Sequence, residues 1–81
     1  MIRLWYIEEP GKYDHAHGNS LQTRKYESSA KIGLEELKKI PGNENRNLVI
    51  NHYDEPISNI PEWSWIWSIT EEEENKQARG E

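Results

Sequence analysis

Glu62-Trp63-Ser64-Trp65-Ile66-Trp67-Ser68-Ile69-Thr70 is the stretch whose reading decides the fold. Three tryptophans stand two residues apart. In a strand, alternate side chains point to opposite faces, so Trp63, Trp65, Trp67 and Ile69 share one face and Ser64, Ile66, Ser68 and Thr70 the other. Each indole can remove roughly 200 Å² from water, so this face is either the core or a docking surface. A helical reading of residues 62–79 puts Trp63, Ile66, Trp67 and Thr70 together but leaves Trp65 and Ile69 behind. The strand reading is preferred.

Working outward, Ile2 to Ile7 alternates, with Ile2, Leu4 and Tyr6 on one face and Arg3, Trp5 and Ile7 on the other. Two apolar-leaning faces predict a central strand, ended by Pro10-Gly11. Residues 12–20 are polar and aperiodic and read as a loop, and Leu21 to Tyr26 as a short edge strand. Ser28 or Ser29 then caps a helix whose buried stripe is Ala30, Gly33, Leu34, Leu37 and Ile40. Lys38 and Lys39 favour its C-terminal end, and Pro41-Gly42 stops it. Leu48 to Tyr53 reads as a strand broken at Asp54-Glu55-Pro56.

The order β-β-α-β-β predicts an α+β domain over residues 1–70. Its small sheet has three to four mostly antiparallel strands covered on one face by one helix. Residues 71–81 form an acidic tail. Thr70-Glu71-Glu72-Glu73 matches a capping box, but Ala78 is the tail's only apolar residue, so a frayed helix or disorder is expected there.

Composition narrows the function classes. Eighty-one residues make one domain, burying about 60–65% of the surface of the unfolded chain. Apolar residues are 33% and charged ones 31%, which leans toward disorder; four Trp and four Tyr with no Phe argue back. All eight aromatics can hydrogen bond, and Tyr and Trp are the types enriched at binding hot spots. Without cysteines there is neither a disulfide framework nor a thiolate zinc site. No segment approaches the roughly 18 apolar residues that span a bilayer, and no signal-peptide layout opens the chain. A cytoplasmic protein is expected.

The net charge is −5. Residues 71–81 hold five Glu against Lys76 and Arg79, a net of −3, which leaves −2 for residues 1–70. Direct nucleic-acid binding is disfavoured, because phosphate neutralisation needs a basic face.

Catalytic chemistry finds little to build on. His15 and His17, with His52 and Asp54 on another strand, are the sole metal-ligand set to weigh. A His-x-His in a polar loop is far more often solvent-facing than zinc-bound. Paired acids at Glu8-Glu9 and Asp54-Glu55 read as ordinary strand ends. There is no nucleophile elbow and no glycine-rich phosphate loop. The expectation is a non-enzyme with no cofactor and no metal.

The helix stripe is thin cover for three indoles, so some tryptophan is expected at the surface, with Trp5 and Trp63 the candidates. Exposed Trp beside Glu8, Glu9, Asp54, Glu55, Glu62 and the tail acids Glu71, Glu72, Glu73 and Glu74 has the composition of a hot spot facing a basic partner. In its size, charge and lack of catalytic motifs the chain resembles the accessory inhibitors of phages and mobile elements, including anti-defence proteins such as anti-CRISPRs. The resemblance implies an inhibitor that covers a surface of a larger protein, a basic nucleic-acid-handling one being the natural target. The alternative is a homo-oligomer or complex subunit joined through its aromatic face or a sheet edge. A metal-dependent enzyme on His15, His17 and His52 ranks third.

Overall fold

Strand β1 (Ile2–Glu8) is the axis on which the molecule is built. A computed structural model of the chain describes residues 1–9 and 22–81. In it β1 lies between β2 (Gln22–Arg24) and β3 (Val49–Glu55), and both pairings are antiparallel. Directly opposed residues share a face, so Leu4 meets Tyr53 on one side of the sheet and Trp5 meets His52 on the other. Both faces of β1 are covered, as its two apolar sets require: Leu4, Tyr6 and Ile7 are all buried.

Helix α1 (Glu27–Lys39) covers the Ile7 face. It buries Ser29, Ala30 and Gly33, a row of small residues that lets the helix come close to the sheet. A Cβ at Gly33 would collide with Oε1 of Gln22 and touch Cδ1 of Ile7. The apolar stripe ends earlier than the sequence reading has it, because Ile40 is 49% exposed. Gly42, at φ +97°, turns the chain away from α1.

The other face of β1 is covered by the chain that follows β3. Leu4, Ile60 and Ile66 form its buried cluster, with Ile2 and Tyr53 packed against them. Here the strand expected over Trp63–Ile69 is corrected. Residues 57–59 and 65–67 are single 3₁₀ turns separated by Pro61, and the sheet has three strands among the described residues. Ile60, Ile66 and Ile69 are the inward points, at multiples of three, the period of a 3₁₀ turn. A strand would have spent the inward face on three indoles that neither α1 nor the sheet has surface to cover. β3 also runs through Asp54 and Glu55, where the sequence reading breaks it.

Residues 71–78 are α2, a helix packed on α1. Its start shows the N-cap half of the capping box read from sequence: Thr70 Oγ1 accepts from the Glu73 amide at 3.2 Å, while the Glu73 carboxylate does not return the bond. The anchor is Glu74, which is fully buried. Its two carboxylate oxygens accept from the amides of Lys25 and Tyr26, both at 2.9 Å. Those amides immediately precede α1, whose N-cap is Tyr26 with no side-chain cap, so the cap expected from Ser28 or Ser29 is corrected. The two serines point the other way. Ser29 donates to Asn75 Oδ1 at 2.6 Å and Ser28 to Glu71 Oε2 at 2.7 Å.

Candidate protein-interaction surface

The loop from Pro61 to Ile69 is pinned from within and presents its indoles outward. Ser64 caps the second 3₁₀ turn, its side chain accepting from the Ile66 amide. Lys25 Nζ donates to the Ile66 carbonyl at 2.7 Å, and the Tyr26 hydroxyl donates to the Ile69 carbonyl at 3.3 Å. Trp67 Nε1 closes the loop on itself by donating to the Pro61 carbonyl at 2.9 Å. Lys25 and Tyr26 are also the residues whose amides Glu74 holds. One short segment therefore ties the tryptophan loop to both helices.

Trp63 is 85% exposed, Trp65 44% and Trp67 45%. At about 200–250 Å² per indole side chain, some 350–450 Å² of indole surface within one five-residue stretch faces water. Large side chains exposed this close together in the chain are uncommon away from binding surfaces. Ile57 in the preceding turn is 52% exposed and adds to the apolar area of this part of the chain. Trp5, the other candidate, is half-buried; its ring meets His52 at 4.9 Å between centroids, tilted by 49°.

The acids named as steering groups are distributed quite differently. Asp54 accepts from Arg3 Nε at 3.1 Å, and that hydrogen bond holds its carboxyl below the usual carboxylate range. Glu9 takes two bonds from Arg46, Glu8 accepts from Asn51 and Glu55 from Asn59. Glu71 accepts from Ser28, and Glu72 lies 3.7 Å from Lys76. Glu74 is removed from the candidate surface altogether, because it is buried and spent on two amides. Glu62 and Glu73 remain exposed, their carboxylates without a partner among the described residues. The sheet face opposite α1 has its own electrostatics. Burial first, then the Glu8 carboxylate, push the Tyr6 phenol up; burial, Glu55 and Tyr6 do the same to Tyr53.

The sequence reading missed Lys25 and Tyr26 as the loop's clamps. Nothing local marks them, since both act on carbonyls some forty residues away. The isoleucine spacing of three, outvoted by the tryptophan spacing of two, was the signal that would have found the loop.

His15 and His17 lie outside the described residues, as does the predicted loop over 12–20. His52 is exposed, and among the described residues no three His, Cys, Asp or Glu side chains gather as a metal site would require. No described helix is long and apolar enough to cross a membrane. No protein-family model matches the chain, and neither the curated proteins nor the solved structures contain a match.

Proposed function

We propose that this chain is a small, acidic, non-enzymatic protein-binding protein acting in the cytoplasm. In this reading it inhibits a larger partner by covering part of its surface, in the manner of phage and mobile-element anti-defence accessories. One observation carries the reading: Trp63 stands in water, and Trp65 and Trp67 are each nearly half exposed, on a loop whose backbone is held by buried isoleucines and by Lys25 and Tyr26. Leaving that much apolar surface exposed costs solubility, and an anchored loop loses little conformational entropy on binding. Trp63 is the central anchor, with Trp65 and Trp67 beside it in the chain. Glu62 and Glu73 supply local negative charge, which favours a basic target such as a nucleic-acid-handling protein.

Affinity capture from native-host lysate, with nuclease added, tests this directly. The wild-type bait should retain one stoichiometric partner, and Trp63→Ala should lose it while staying folded. Retention of the same partner by Trp63→Ala and by the triple alanine variant would overturn the reading.

A second reading rests on β3, which among the described residues has a hydrogen-bonded neighbour on one side only and exposes Asn51 and His52. An uncovered edge is a template for pairing with a copy of the chain. Light scattering at rising concentration separates the two: a constant monomer mass excludes self-pairing.

A further inference from the structure

Between β2, the end of α1 and the end of α2 lies a cavity of about 240 Å³, on the side of α1 that carries Leu37 and Ile40. Leu37, Ile40 and Ala78 give it an apolar wall, and Gln22 and Arg24 a polar one. Arg24 is the unusual member. Of the four arginines, Arg3, Arg46 and Arg79 each meet a carboxylate. Arg24 meets none among the described residues. Among the described residues its one hydrogen bond is a long 3.4 Å donation from Nη2 to Gln22 Oε1, and its Nε is buried without a partner there. A guanidinium has five donors in a planar fork and stays charged; with Nε closed to any solute, the terminal Nη groups are what Arg24 offers the cavity, and no carboxylate among the described residues meets them. Gln22 in turn is seated by Gly33, where any side chain would push its amide aside. The neighbouring acid, Glu36, is already paired with Lys39 at 3.2 Å.

We propose that this cavity is a binding site for a small carboxylate on an apolar stem. The carboxylate would meet the two Nη groups of Arg24 end-on, a pair of parallel N–H donors matched to its two oxygens. The stem would lie on Leu37, Ile40 and Ala78. The volume is below the roughly 300–1,000 Å³ of drug-sized pockets, which favours a short acid and excludes a nucleotide. This site is separate from the tryptophan loop, and its occupancy does not depend on that loop's role.

The test is an NMR titration of the full chain with isovalerate at constant ionic strength, with 3-methyl-1-butanol and inorganic phosphate as parallel arms. Isovalerate should give saturable shifts at Gln22, Ala78 and the Arg24 Nε–H, at least tenfold tighter than either comparator. Arg24→Met, which keeps the stem and removes the charge, should abolish them with the rest of the spectrum unchanged. The Arg24 Nε–H signal of the wild type decides the matter should that variant unfold. Equal binding of phosphate overturns the apolar-stem assignment, and equal binding of the alcohol overturns the role of Arg24. No saturable shift in any arm means that water alone meets the guanidinium, and the site is withdrawn.

Discussion

Replacing Glu74 by Gln should destabilise the protein far more than any other single change in the acidic run Glu71–Glu74. Glu74 is fully buried, and each carboxylate oxygen accepts one backbone amide at 2.9 Å. Hydrogen bonds to a charged acceptor contribute about 1.5–3 kcal/mol each. Glutamine keeps one acceptor oxygen but turns an NH₂ group toward the second amide, so one bond is lost and one donor is left buried. The expected cost is about 2–4 kcal/mol, a large share of the 5–15 kcal/mol typical of a domain. At roughly 4–8 °C per kcal/mol for a domain of this size, Tm should fall by more than about 10 °C. Glu74→Ala removes both acceptors and should cost more. Glu73→Gln is the control: its side chain is exposed and unpartnered, and a change within about 0.5 kcal/mol is expected. Urea unfolding followed by circular dichroism gives the free energies, and hydrogen exchange at the Lys25 and Tyr26 amides locates the loss. If Glu74→Gln costs no more than Glu73→Gln, the anchoring of α1 by α2 is wrong.

Four further outcomes follow from the same contacts. Ile66→Ala should cost about 2–4 kcal/mol by urea unfolding, whereas Trp63→Ala should stay within about 0.5, because one side chain is core and the other is 85% exposed. Gly33→Ala should leave stability unchanged or raise it by up to about 1 kcal/mol, since the atom it displaces is the mobile end of Gln22; a loss above about 1 kcal/mol would count against this. Arg3→Ala should return the Asp54 carboxyl to its usual range in an NMR titration. Because the shift is downward, whatever the pair adds is present at neutral pH and lost as the pH falls through the folded value. Tyr6 and Tyr53 are shifted upward, so their contribution is complete below the ordinary tyrosine value near 10 and is lost as the pH rises through the folded values. The tyrosine-dependent part of the stability against urea should therefore decline only in the alkaline limb, and a tyrosine-dependent decline at neutral pH would contradict the burial of these phenols.

What could be read from the sequence tracks how local the determining physics is. The α+β class, the antiparallel sheet, α1 and the central place of β1 follow from periodicity and from breakers such as Pro41-Gly42, which act over a few residues. The N-cap at Thr70 was legible for the same reason. The tryptophan segment was misread because period two among the largest side chains outweighed period three among the isoleucines. Choosing between them needs the supply of covering surface, which depends on every other element. Glu74 was illegible in a different way. In a run of four glutamates nothing distinguishes the one that meets two amides from the three that stay in water, until α2 is docked on α1. For the candidate surface, a partly exposed tryptophan was expected on grounds of supply, and Trp63 is where the exposure is greatest.

The position of Glu74 also changes how the electrostatic half of the proposal must be tested. Removing residues 71–81 would strip the local field of most of its charge, and on sequence grounds that truncation is the natural probe of phosphate mimicry. In the folded protein it would also remove the anchor at Lys25 and Tyr26, the same residues that hold the carbonyls of Ile66 and Ile69. The tryptophan loop would loosen, and lost binding would then say nothing about charge. Substituting Glu62 and Glu73 by Gln leaves every one of those contacts in place. If acids steer the partner, this pair should lower the association rate and flatten its dependence on salt, with little effect on dissociation. If the indoles alone carry recognition, the rates should not move, and Trp63→Ala should instead act through faster dissociation. An unchanged salt dependence in the double variant would leave a protein-binding loop with no claim to mimic nucleic acid.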